Sequence, residues 1–264
     1  MVTADQGSIA DSFWMRAIPQ SACSDNANSD DIKGIVYYGS STSTPSTSAY
    51  GTEDGYEDGC DDETDNLVPY ISKTAGSDTT NMVEDATVGF NDDNVFRWYL
   101  NSTTMIVEWS DPTLLQVINN DTTYATSNAV IELPEADQWV YIVIETTLGV
   151  PHPIHLHGHD FYVLAQGTGT YSSDSLNLSN PPRRDTAMLP ASGYLALAFE
   201  TDNPGAWLMH CHIGWHTSEG FALQFLERYD EIAGITNATA LESNCDTWSS
   251  YQTDNSIEQD DSGI

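Results

Sequence analysis

The sequence predicts an all-β chain, a sandwich or barrel of short strands, with one complete domain from about residue 70 onwards. Three observations predict it. "NVFRWYLN", "TMIVEWS", "AVIEL", "WVYIVIETT", "HDFYVLAQG" and "GYLALAFET" concentrate the β-branched and aromatic residues that fit a pleated, half-buried surface. Gly, Asn, Pro and Asp separate these runs, as turns between short strands require. Finally, 39% apolar residues with seven Trp and thirteen Tyr are enough to fill a core.

In chain order, residues 1 to 22 mix "SFWMRAIP" with turn formers and predict a strand entering a loop. From Cys23 to about Leu67 the composition shifts to Ser, Thr, Asp, Gly and Pro, the signature of a long linker or surface excursion, with "KGIVYYG" as one strand inside it. Later, "PTLLQVI" predicts a helical turn, and "SEGFALQFLERYDEI" is expected to contain a short helix. The end, "TDNSIEQDDSGI", is polar, and no internal repeat is visible.

Seven basic against 40 acidic residues give a formal charge of −33. That balance argues against nucleic acid or an anionic membrane as partner. No apolar run approaches the roughly 20 residues of a membrane span. The start lacks the basic and apolar regions of a secretion signal, yet the body looks extracellular. Sequons stand at Asn101, Asn120, Asn177 and Asn237, with Cys23 and Cys60 upstream. Together these predict a secreted fragment whose true N-terminus lies upstream.

The chemistry gathers in two stretches. "HPIHLHGHDF" and "HCHIGWH" hold all seven histidines, with Cys211 between two of them. Side chains alternate along a strand. Thus His155 and His157 share a face, and His210 and His212 point opposite to Cys211, while His152 lies beyond Pro153 in a different local geometry. One tripeptide can then serve two sites joined by continuous backbone. Cys211 with two imidazoles is the ligand set of blue copper. His216, five residues on, suits a loop returning to the same ion, and His152 is the natural second imidazole. No Met is available as a weak axial ligand; Phe221 stands about where it would come and cannot coordinate. Three-coordination favours Cu(I) and raises the potential. Zinc fits less well, because C-x-x-C pairs and H-E-x-x-H are absent.

At these residues a resemblance becomes specific. "HPIHLHGHDFYVLAQG" and "NPGAWLMHCHIGWHTSEGFALQF" resemble the last two copper motifs of the multicopper oxidases, especially the ascomycete-type fungal laccases. "VTADQGS", "FWMRAIPQSACSDN", "NPPRRDT" and the final "DSGI" are similar to the same group. The resemblance implies cupredoxin-like Greek-key β-sandwiches: residues 1–69 as the remnant of a second domain plus linker, and 70–264 as the third. It implies type 1 copper ligands at His152, Cys211 and His216, with Phe221 at the non-coordinating axial position. It further implies a type 2 ligand at His155 and type 3 ligands at His157, His210 and His212. All seven histidines count as taken up by copper, His159 without a named role. The family's trinuclear cluster needs further histidines from a first domain, so the dioxygen-reducing site is half present.

The implied activity is one-electron oxidation of phenols or aromatic amines, coupled in a complete protein to reduction of dioxygen to water. Electrons would enter through His216 beside Trp215 and pass by Cys211 to His210 and His212. Implied partners are phenolic substrates, dioxygen, and the missing N-terminal domain or another chain supplying it. Cys23 and Cys60 resemble an intradomain disulfide, and Cys245 the partner of a first-domain cysteine. "DSGI" resembles a plug toward the trinuclear copper, a disordered acidic tail being the alternative. Two other outcomes stay open: a free-standing one-copper electron-transfer or copper-binding module, and an inactive truncated product.

Overall fold

The computed structural model describes residues 3–19, 21–22, 25, 27, 32–47 and 67–263. The chain divides into two compact units, Met1–Asp61 and Asp62–Ile264. In the first, β1 (Ser12–Arg16) and β2 (Lys33–Tyr37) pair antiparallel, Phe13 opposite Val36 and Trp14 opposite Ile35. Both strands were expected at these places. Cys23 and Cys60, and with them the expected disulfide, lie outside the described residues.

The second unit is a two-sheet β-sandwich. Its first half runs β3 (Asp78–Phe90), β4 (Phe96–Leu100), α1 (Thr113–Ile118), β5 (Val130–Leu133), β6 (Trp139–Thr146) and β7 (His152–Leu156). Next come β8 (Phe161–Thr168), β9 (Arg183–Arg184), β10 (Thr186–Leu189) and β11 (Gly193–Glu200). The chain closes with β12 (Gly205–Cys211), α2 (Gly214–Ser218), β13 (Ala222–Glu227), α3 (Tyr229–Ile235) and α4 (Ala238–Asn255). One sheet orders β10-β7-β12-β13-β5 and the other β4-β3-β6-β11-β8-β9; β13 with β5 and β3 with β6 are parallel, the remaining pairs antiparallel. This is the cupredoxin-like sandwich.

The core lies between the sheets, where Val140, Ile142 and Ile144 of β6 meet Ile154 and Leu156 of β7 and Phe225 of β13. A second cluster covers the outer face of the six-stranded sheet with Tyr141, Val143, Tyr162 and Leu164. β6 is therefore buried on both faces, which explains why "WVYIVIET" is apolar almost without alternation.

The structure overturns one expectation and sharpens two others. "TMIVEWS" forms no strand: Met105, Ile106 and Val107 send their backbone N–H groups to Gly220, Ser127 and Ser262, partners that share no single ladder. "SEGFALQFLERYDEI" does contain the expected short helix, but only from Tyr229; before it the six residues Ala222–Glu227, all buried in the sheet, form strand β13. The tail is strapped down rather than loose. Ser262 donates its amide to Ser218 and accepts from Trp109, and Arg97 reaches the Asp260 carbonyl at 2.7 Å. Cys245 is buried in α4 as a free thiol.

Candidate metal centre

β7 and β12 set the site by their register. His155 stands opposite His210, and Ile154 opposite Cys211. His152, Ile154 and Leu156 alternate onto the core face, fully buried, while His155 is turned the other way. The expected break at Pro153 is therefore corrected: His152 belongs to β7 itself, paired with Leu189 of β10, and the Pro153 carbonyl accepts from the His212 amide at 2.7 Å. Cys211, the last residue of β12, joins His152 on the core side.

α2 returns His216 to the same point. After it, Phe221 donates its amide to the His216 carbonyl at 2.8 Å and accepts from the Cys211 amide at 3.1 Å, closing the loop on its own start. Gly220 makes this possible. Its φ of +107° suits glycine, and a Cβ there would lie 1.9 Å from Thr104 Oγ1.

His152, Cys211 and His216 come together as the sequence predicts; they form the one group of three potential metal ligands found among the described residues. Nδ1 of His152 and Nδ1 of His216 are 3.3 Å apart, and Cys211 Sγ lies 3.9 and 3.5 Å from them. Ligands around one ion in a plane, at ~2.0 Å for nitrogen and ~2.3 Å for sulfur, would stand ~3.5 Å and ~3.7 Å apart. The triangle fits one ion. Burial, with His216 adding repulsion, lowers the His152 pKa to about 4, and burial pushes the Cys211 thiol up to about 11. Burial also lowers His216. Both imidazoles are thus neutral and ready to ligate near pH 7, whereas the thiol must give up a proton. The Phe221 ring, 5.2 Å from that of His152 and buried, supplies no donor atom.

The other ligand candidates form an open face. His157 and His210 approach to 3.1 Å between Nε2 atoms. The His155 ring lies 5.0, 5.6 and 5.7 Å from those of His157, His210 and His212. His155 Nδ1 donates to the Asp185 carbonyl at 2.6 Å, and His210 Nδ1 to the Cys211 carbonyl at 2.8 Å, so that Nε2 is the nitrogen each could offer a metal, that of His210 facing His157 Nε2. Such carbonyl anchoring is how ligating imidazoles are oriented. Burial lowers both His157 and His210, helped by neighbouring imidazoles. His157 and His212 are exposed, and Trp215 beside His216 is 80% exposed.

His159 corrects the expectation that every histidine serves the metal. Its side chain is buried, with Nδ1 3.2 Å from the His157 carbonyl and Nε2 2.9 Å from Glu227 Oε2. Both nitrogens face acceptors, an arrangement that favours the doubly protonated ring. Burial opposes that charge most strongly, but Glu227, the His157 carbonyl and Asp202 together outweigh it and the pKa is raised. Sequence reasoning missed Glu227, although a carboxylate ending the apolar run "ALQFLE" signals a buried charge in need of a partner. It also missed Trp98, whose ring packs on His152, His216 and Phe221.

Known proteins resemble this chain along its length. Residues 101–231 match the family model described as multicopper oxidase. Laccase-2 of Botryotinia fuckeliana is 42% identical, over 100% of this chain and 46% of its own length. Laccase of Cryphonectria parasitica is 38% identical over 100% of this chain and 48% of that protein. The crystal structure of laccase from Botrytis aclada superposes with a TM-score of 0.76 at 42% identity, covering 97% of this chain and 48% of that one. The chain spans about half the length of the curated relatives it matches. Matched along nearly its whole length by fungal laccases, and through both histidine stretches by the family model, the chain belongs to the multicopper oxidase family.

Proposed function

We propose that this chain carries the substrate-side copper site of a laccase, with His152, Cys211 and His216 as its ligands, together with half of the histidines of a dioxygen-reducing cluster. The observation that carries this reading is the buried triangle of two Nδ1 atoms and one sulfur at 3.3, 3.5 and 3.9 Å. Copper held there supplies one-electron chemistry, fitting the oxidation of phenols and aromatic amines. His152 and Cys211 sit in the core and keep water from the ion, while His216, one residue from exposed Trp215, forms the edge nearest solvent. Cys211 and His210 are consecutive, and the Cys211 carbonyl accepts from His210 Nδ1, so the two sites are joined covalently and by a hydrogen bond. In this reading His155 is a type 2 ligand, and His157, His210 and His212 are type 3 ligands that a further domain or chain completes.

The proposed division is a second-domain remnant over 1–69 and a third domain over 70–264. Secretion fits the family, and all four sequon asparagines are exposed. A one-copper electron-transfer module is the second reading, favoured by the single closed ligand group among the described residues. Anaerobic mixing of the copper-loaded chain with a methoxyphenol tests the proposal. Bleaching by about one electron per copper is expected, with dioxygen uptake appearing only after the N-terminal half of a laccase is added. A colour that persists with excess phenol contradicts it.

A further inference from the structure

We infer that Trp98 is a positioning residue of the metal centre: it clamps Phe221 and His216 so that no fourth ligand reaches the ion, and thereby raises the reduction potential. This rests on the copper reading above. Trp98 belongs to β4, in the sheet opposite β7 and β12, and is 4% exposed. Its ring stacks on Phe221 with centroids 5.0 Å apart and planes 15° from parallel. It lies 4.3 Å from the His216 ring at 35°, and meets His152 edge-on at 4.9 Å. One indole thus touches both candidate imidazole ligands and the ring beside them.

The backbone repeats the connection. The Trp98 amide donates to the Glu219 carbonyl at 2.9 Å, and its own carbonyl lies 3.0 Å from where a Gly220 Cβ would stand. β4 is therefore tied through its backbone to the loop that returns His216. The indole Nε1 is buried without a partner among the described residues. A hydrogen bond does not explain the ring's placement; its faces do. An unpaired buried donor is unfavourable in itself, so a smaller apolar ring is tolerated here if packing were the whole role. An apolar cover without a donor atom disfavours the more highly charged Cu(II), and three-coordination favours Cu(I). Loosening the cover lets Phe221 move and water approach as a fourth ligand.

The test compares wild type with Trp98→Phe and Trp98→Leu, measuring copper content, absorption spectrum and potentiometric midpoint; Phe90→Leu, on the exposed end of β3, is the control. With copper content kept, Trp98→Leu is expected to shift relative binding toward Cu(II) by about tenfold, a midpoint about 59 mV lower, with a weakened charge-transfer band. Trp98→Phe, which keeps a stacked ring, falls in between. Wild-type potential and spectrum in Trp98→Leu overturn the inference while leaving the copper reading intact. If Trp98→Leu loses its copper, Trp98→Phe decides, and a wild-type midpoint there overturns the inference. A wild-type chain that takes no copper overturns the copper reading and this inference with it.

Discussion

Cys211 is a buried thiol whose pKa burial pushes up to about 11, beside two imidazoles already neutral. Copper binding at pH 7 should therefore release about one proton per chain, that of the thiol, which a pH-stat titration would measure. Release near zero would mean that the sulfur is not a ligand. His152 gives a second expectation. Its folded-state pKa of about 4 lies below the ordinary 6.5, so between these values the unfolded chain binds a proton that the folded chain refuses. The His152 contribution to metal-free stability is fully present above pH 6.5 and should fall by about 3 kcal/mol as pH drops to 4. Urea unfolding across that range should show a flatter profile for His152→Phe; an unchanged slope assigns the pH dependence elsewhere. At this scale the sequence was most legible where histidine and cysteine cluster. Trp98 and Glu227 escaped because their roles come from the opposite sheet and from a strand two places from β7 in its own sheet, contacts between residues far apart in the chain.

Two elements hold the ligands in register. The turn after β7 is fixed by His159 against fully buried Glu227, and by the Asn203 amide, which donates to Glu227 Oε1 at 2.6 Å. Replacing one member of a buried pair strands the other, so Glu227→Gln should destabilise the fold by about 3–5 kcal/mol, read as a lower urea midpoint; a loss under about 1 kcal/mol would assign the pair no more than a surface contact's value. The loop after α2 depends on Gly220. Gly220→Ala, strained at positive φ and clashing with Thr104, should lose copper binding even if it folds, as copper analysis of the purified variant would show. Strands rich in Val, Ile and aromatics were readable as strands from their residues alone. "TMIVEWS" was not, since composition favours strand while ladder partners decide whether one forms. β13 went unrecognised for a related reason: six buried residues in succession carry no alternation.

Across the whole molecule, one site is closed and the other open. The sandwich of the second unit encloses His152 and Cys211 completely, whereas His157 and His212 are exposed. This asymmetry follows from strand parity: residues 152 and 211 face the core, and 155 and 210 face away. The fold class was legible from the sequence because that parity, with turn residues between apolar runs, is local information. What lies against the open face is not local information, and this chain spans about half of its relatives' length. The most direct test is the copper content of the purified chain after loading in air, recorded with its absorption spectrum beside Cys211→Ser. About one copper per chain with an intense blue band, lost in Cys211→Ser, is the expected result. No copper, or a spectrum that Cys211→Ser leaves unchanged, would contradict the assignment of His152, Cys211 and His216 as the metal site.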